Sequence, residues 1–235
     1  MSRGPMLRTE HLNANYGMFQ ALFGINFSIE RGEVVSLIGA NGAGKSTLLR
    51  AIVGSVPVAA PSVLLDGEPV GGSAEIDQLS RGIALVPEGR RLFPSLTVEE
   101  NLLLAAKNGR RGPWTPDRLY RELPALQKLR SRPATALSGG QQQLVAVGRA
   151  LVTNPDFLLC DEISLGLSPV AVETVYELLG TVIEEGMAVI LVEQNVRRAL
   201  SSSSRYYCML KGNVVLEGIS KTADYARVSA AYFGD

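Results

Sequence analysis

The sequence predicts an α/β fold with a mainly parallel sheet covered on both faces, and three observations carry that prediction. Apolar runs of strand length, such as Met187-Ala-Val-Ile-Leu-Val192, recur without the polar alternation of a half-exposed strand. Segments of helical period separate them, which lets successive strands run parallel with helices crossing each face. One run, Val34 to Ile38, ends abruptly in a glycine-rich loop that opens into a helix.

In order, Leu7 to Ala14 and Phe23 to Ile29 are strand-like, Arg31-Gly32 turns, and Val34-Val35-Ser36-Leu37-Ile38 is the first core strand. After Gly39 to Thr47, the residues Leu48, Leu49, Ile52 and Val53 recur at helical spacing. Val63-Leu64-Leu65 with Asp66-Gly67 is a strand and turn, and Ile83-Ala84-Leu85-Val86 is an apolar strand closed by Pro87. Between about Thr97 and Ala150 no strand-like run appears, and Thr97-Val98-Glu99-Glu100 can cap a helix, so this stretch is a mostly helical insertion. Gly109 to Pro116 and Arg130 to Pro133 are loop-like within it. Ser138 can cap a helix that places Leu144, Val147 and Leu151 on one face. Phe157 to Cys160 resumes the strands, followed by a helix through Val175, Leu178, Leu179 and Val182 and the strand Ala188 to Val192. Tyr207 to Leu210, Lys211-Gly212-Asn213 and Val214 to Leu216 form a hairpin.

Composition narrows the function classes. At 235 residues and 25.1 kDa the chain can bury one sizeable core. Lys plus Arg equals Asp plus Glu at 23 each, which disfavours a global electrostatic grip on nucleic acid or anionic lipid. Two cysteines make no oxidised framework, and Cys160 and Cys208, among apolar neighbours, read as buried small hydrophobes. No stretch approaches the length of a membrane span. Met1 to Arg8 lacks the apolar stretch of a secretory signal, which points to a reducing cytoplasm.

Gly39 to Ser46 matches G-x-x-x-x-G-K-S between a strand and a helix. Its glycines let backbone N–H groups turn around phosphate oxygens, Lys45 reaches the β and γ phosphates, and the Ser46 hydroxyl holds Mg²⁺. Asp161 and Glu162 close the apolar strand Phe157 to Cys160, where successive side chains point in opposite directions and so serve different purposes. Asp161 supports the Mg²⁺ site; Glu162 orients the attacking water, as general base or as hydrogen-bond acceptor. Leu137-Ser138-Gly139-Gly140-Gln141-Gln142-Gln143 is a second glycine-rich helix start, which one nucleotide seldom needs from one chain and which alone would read as an ordinary cap.

Together, in this order and separation, the three elements resemble the nucleotide-binding subunits of ATP-binding-cassette (ABC) transporters, and the resemblance covers nearly all of the chain. It implies an α/β P-loop NTPase core with a mainly parallel sheet, an N-terminal antiparallel β subdomain and a helical subdomain. The whole of 1–235 would be one cassette, with 1–96 and 151–235 as nucleotide-binding core and about 97–150 as helical signature subdomain. ATP and Mg²⁺ are the implied cofactors, bound by Gly39, Asn41, Gly42, Ala43, Gly44, Lys45, Ser46 and Thr47. Ser138, Gly139 and Gly140 would contact the γ-phosphate held by a second subunit in a head-to-tail dimer. Tyr16 resembles the aromatic that stacks on adenine, Glu88 sits where a Q-loop glutamine reaches Mg²⁺, and Ser164 to Pro169 resembles the D-loop.

Departures from the common family pattern are informative. Glu88 replaces Gln, Ser168 replaces Asp, Ile163 stands where Pro is usual and should loosen the backbone, and Gln194 takes the place of the switch histidine. A neutral Gln can donate a hydrogen bond to the γ-phosphate but carries no proton at neutral pH. The only histidine, His11, lies in the N-terminal strand and reads as structural. Val-Pro-Glu-Gly-Arg-Arg, Ser-Leu-Gly-Leu and Val-Glu-Gln-Asn together resemble the branched-chain amino-acid importers, whose relatives handle urea and short amides. The resemblance implies a second ATPase subunit, two permeases and an extracytoplasmic solute-binding protein, with the chain peripheral on the cytoplasmic face of a bacterial plasma membrane. Arg90, Arg91 and Phe93 lie near where such subunits meet a permease, although adjacent arginines equally suit a solvated surface. Alternatives are an exporter subunit, a soluble ABC-type ATPase acting on DNA or the ribosome, and a small-molecule kinase or regulator sharing only the phosphate loop.

Overall fold

The computed structural model describes residues 6–234. Residues 1–5, part of the stretch read as lacking a secretory signal, lie outside the described residues, as does residue 235. The first strands, β1 (Met6–Tyr16) and β2 (Phe19–Glu30), pair antiparallel, with a register slip beside Leu12. His11 sits at that slip, exposed, with φ at 45° and its backbone N–H donated to Asn26 Oδ1 at 2.9 Å. After β3 (Val34–Ile38) and α1 (Lys45–Ile52), the short β4 (Val63–Leu65) and β5 (Glu68–Pro69) complete a four-stranded sheet in the order β2-β1-β4-β5. Every pairing in it is antiparallel, as the resemblance implied.

Next come α2 (Glu75–Ser80) and β6 (Ile83–Val86), then the helical stretch α3 (Val98–Asn108), α4 (Pro116–Glu122), α5 (Pro124–Gln127) and α6 (Gly139–Leu151). The start of α3 is fixed by a reciprocal cap: Glu100 N–H donates to Thr97 Oγ1 at 3.1 Å and Thr97 N–H donates to Glu100 Oε2 at 2.8 Å. The chain closes with β7 (Phe157–Asp161), α7 (Pro169–Glu184), β8 (Ala188–Glu193), α8 (Val196–Ser201), β9 (Arg205–Leu210), β10 (Asn213–Ile219) and α9 (Tyr225–Phe233).

The second sheet has the order β10-β9-β3-β8-β7-β6, parallel throughout except for the β9–β10 hairpin. Its central strands are buried on both faces, which explains their uninterrupted apolar character. Strand alternation divides those residues between two cores. Leu158, Cys160, Val189 and Leu191 pack with α3 to α7, whereas Phe157, Leu159, Ile190 and Val192 pack with α1 and the antiparallel sheet. The helical stretch therefore shares its core with the sheet instead of enclosing one of its own. Cys160 and Cys208 are both buried and free, and burial pushes the Cys208 thiol up to about 11. No described helix is long and apolar enough to cross a membrane.

Candidate active site

The loop between β3 and α1 opens into a cavity of about 690 Å³ lined by Asn41 to Thr47, Tyr16, Glu88, Glu162 and Gln194. Gly44 begins α1 in the left-handed region, at φ 104°, and a Cβ there would lie 2.7 Å from Leu22 Cδ2, so both backbone and space demand glycine. Gly39 lies beneath the loop, where a Cβ would stand 2.4 Å from the Met209 carbonyl oxygen. Lys45 is buried, and its ammonium donates to the carbonyls of Gly39 at 2.7 Å and Ala40 at 3.1 Å while lying 3.7 Å from Glu162 Oε1. Burial lowers its pKa, opposed by the Glu162 and Asp161 carboxylates.

Alternation along β7 explains the next contact. Asp161 continues the Phe157 and Leu159 face toward α1, where its Oδ1 accepts from the Ser46 hydroxyl at 2.8 Å. Burial raises the Asp161 pKa, partly offset by that hydrogen bond and by Arg50, with Glu162 and Glu88 adding to the rise. Glu162 departs from the expectation of strict strand alternation. The strand ends at Asp161, and Glu162 adopts φ of 51°, so a left-handed turn and not a pleat separates the two carboxylates. Both then face the phosphate loop. Ile163 is 2% exposed, and its side chain packs in the core beside the turn.

Gln194, just beyond β8, donates through Nε2 to Glu162 Oε2 at 2.6 Å and to Asn41 Oδ1 at 3.0 Å. Its amide thus bridges two loops that are far apart in sequence. The cavity rim holds residues that sequence reasoning missed, Phe19, Gln20, Phe23, Lys211 and Gly212, beside Leu165 of the segment that resembles a D-loop. Tyr16 pairs with Phe19 across the β1–β2 turn, and the half-exposed Tyr16 shares the rim with two further exposed aromatics. Gly212 donates its N–H to the Ala43 carbonyl at 2.9 Å, so the β9–β10 hairpin buttresses the loop, and nothing in the sequence linked them.

Ser138, Gly139 and Gly140 do not line this cavity. Ser138 caps α6, accepting from Gln141 N–H at 3.4 Å while its own N–H donates to Gln141 Oε1 at 3.0 Å. A Cβ at Gly140 would come within 2.7 Å of Ala171 Cβ, so this glycine also lets α6 approach α7. Ser168 accepts from Ala171 N–H at 3.4 Å and caps α7, a role Ser fills as well as Asp. Beyond Glu88, the residues Gly89, Arg90 and Arg91 are successively left-handed, at φ 75°, 66° and 46°. Arg90 donates to Gln142 Oε1 at 3.1 Å, and Arg149 donates to the Arg91 carbonyl at 2.7 Å, tying this turn to α6. A second groove of about 680 Å³, which shares Tyr16 with the cavity, is bordered by Arg50, Ile76, Pro87, Arg91 and Arg149.

Comparison with known proteins agrees with this architecture. The family model described as "ABC transporter" matches residues 22–164. The high-affinity branched-chain amino acid transport ATP-binding protein BraG of Pseudomonas aeruginosa is 40% identical over 90% of this chain and 91% of its own. The probable branched-chain amino acid transport ATP-binding protein LivF of Archaeoglobus fulgidus is 36% identical, covering 91% and 92%. The lipopolysaccharide export system ATP-binding protein LptB of Haemophilus influenzae is 29% identical over 98% of each chain. Among solved structures, a dimeric post-hydrolysis ATP-binding cassette bound to ADP and Pi superposes with a TM-score of 0.78 at 27% identity, covering 91% of this chain and 98% of the other.

Proposed function

The chain belongs to the ABC transporter family of ATPases, and on that premise we propose that it powers solute import through partner permeases, most suitably of branched-chain or other hydrophobic amino acids. One observation carries the reading: Lys45, Ser46, Glu162 and Gln194 converge on a single cavity at the ends of parallel strands. The solute class draws on the printed functions of BraG and LivF.

In this account the loop N–H groups and the start of α1 surround the phosphates of ATP, and Tyr16 stacks on the adenine. Lys45 exchanges the Gly39 and Ala40 carbonyls for the β and γ phosphates. Glu162 holds the attacking water, as acceptor or base, while Gln194 orients Glu162 and donates to the γ-phosphate. Water attacks the γ phosphorus, the bond to the β–γ bridging oxygen breaks, and ADP and phosphate result.

The donor set suits Mg²⁺, with Ser46 and Asp161 joined at 2.8 Å and Glu88 on the same cavity wall. When bound there, Mg²⁺ supplies charge neutralisation for the phosphates.

Ser138, Gly139 and Gly140 of a second, related subunit complete the site, which makes the working unit a head-to-tail dimer. Residues about 97–150 serve as signature subdomain, and 1–96 with 151–235 as nucleotide-binding core. The groove beside Arg91 and Arg149 receives a permease, which holds the chain at the cytoplasmic membrane face, and an extracytoplasmic binding protein delivers solute. The LptB relative favours a second reading, export.

Uptake by cells separates these readings. Deleting the chain should abolish uptake of labelled leucine, isoleucine and valine while sparing urea and short amides, and wild-type chain but not Lys45→Ala should restore it. Unchanged amino-acid uptake with loss of urea uptake would move the solute class, and unchanged uptake of every solute would favour export.

A further inference from the structure

The loop carrying Glu162 and the strand end carrying Gln194 are joined a second time, behind the cavity. Glu193, the last residue of β8, is only 2% exposed. Its Oε1 accepts from the Tyr176 hydroxyl of α7 at 2.5 Å and from the Ser164 hydroxyl at 2.8 Å. Arg198 of α8 donates to Ser164 Oγ at 3.1 Å, and its guanidinium lies 6.0 Å from the centroid of the Tyr176 ring. The post-β7 loop, α7, β8 and α8 therefore meet around one carboxylate. Burying a carboxylate is costly unless donors satisfy it, and here two hydroxyls do so with a cation beside them. Burial and the neighbouring Glu193 carboxylate push the Tyr176 phenol upward, which keeps it a donor.

We propose that Glu193 is a positioning residue, holding Gln194 and Glu162 in the 2.6 Å contact from which they act on the attacking water. Glu193 precedes Gln194 directly, so anchoring the Glu193 side chain fixes the backbone from which the Gln194 amide projects. Ser164 lies two residues beyond Glu162, whose left-handed φ of 51° is unfavourable for a residue with a Cβ and persists only where its surroundings hold it. The Ser164 hydroxyl on Glu193, with the Leu165 N–H on the Glu162 carbonyl at 3.1 Å, provides that hold. Two short links between the same two loops act together: the one lining the cavity touches substrate, and the buried one sets its geometry. In its effect on rate, this inference rests on the roles proposed above for Glu162 and Gln194.

The test uses the full chain as wild type, Glu193→Ala, Glu193→Gln and Ser164→Ala, with two readouts. The first is the NMR signal of the Gln194 side-chain amide without nucleotide, and the second is kcat and KM for ATP. Glu193→Ala should move the amide signal toward that of a free glutamine and lower kcat about tenfold, the rate equivalent of one typical hydrogen bond. KM should change less than kcat, since the phosphate loop and Lys45, which hold most of the nucleotide in this account, are untouched. Glu193→Gln, whose amide oxygen still accepts both hydroxyls, should restore the signal and most of the turnover. Ser164→Ala removes one link with less risk to folding and should move the signal in the same direction as Glu193→Ala. An amide signal unmoved in both Glu193→Ala and Ser164→Ala, or a raised KM with unchanged kcat, would overturn the inference. A Glu162→Gln chain with wild-type turnover would overturn the functional reading instead, and the amide signal alone would then decide the linkage.

Discussion

Replacing Glu162 with Gln is expected to lower ATP turnover by about 10²- to 10⁴-fold, the range that a positioned proton acceptor contributes. The change keeps the side chain's size, and the new amide oxygen can still accept from Gln194 Nε2, so the contact now at 2.6 Å survives. What disappears is the negative charge beside Lys45, 3.7 Å away, and the capacity to take a proton from water. ATP binding should persist or strengthen, because one carboxylate fewer faces the γ-phosphate. Steady-state phosphate release and equilibrium binding of a fluorescent ATP analogue measure the two quantities separately. Turnover within about threefold of wild type would remove Glu162 from the chemistry.

The second large effect belongs to Lys45→Ala. Lys45 is buried with three oxygen partners, and burial already holds its pKa below the ordinary lysine value. Truncation takes away the buried ammonium proposed to reach the phosphates and leaves Glu162 without the cation 3.7 Å away. Calorimetric affinity for ATP should fall about a hundredfold, equivalent to about 3 kcal/mol, in line with truncating one partner of a desolvated charge pair. The melting temperature separates this from unfolding: a folded Lys45→Ala chain that no longer binds ATP fits the assignment. A folded chain with unchanged affinity would refute it.

Much of this site was legible because its chemistry is local in sequence. The loop Gly39 to Thr47 is contiguous, strand alternation carries Asp161 to the α1 face, and the Thr97 and Ser138 caps are both formed by residues three apart. Features built by distant segments were hidden. Lys211-Gly212 read only as a hairpin turn, yet Gly212 braces Ala43 across the sheet. Phe19 and Phe23 were overlooked because the turn at Tyr16 draws β2 beside the cavity. The left-handed turn at Glu162 had no signal, since a glutamate there does not announce positive φ and the hydrogen bonds that hold it come from Ser164 and β8. Ser138 to Gly140 illustrate the opposite case. Gly140 has a packing reason within this chain, against Ala171, and the contact proposed for Ser138 to Gly140 needs a second subunit, which one chain's sequence does not contain.

This ATPase is expected to work as part of a membrane assembly. The most direct measurement is mass spectrometry of the proteins that co-purify with the tagged chain from detergent-solubilised native membranes, with and without ATP. The account predicts two multi-span permeases and a second ATP-binding-cassette subunit. Recovery solely from the soluble fraction, with no permease under either condition, would contradict it.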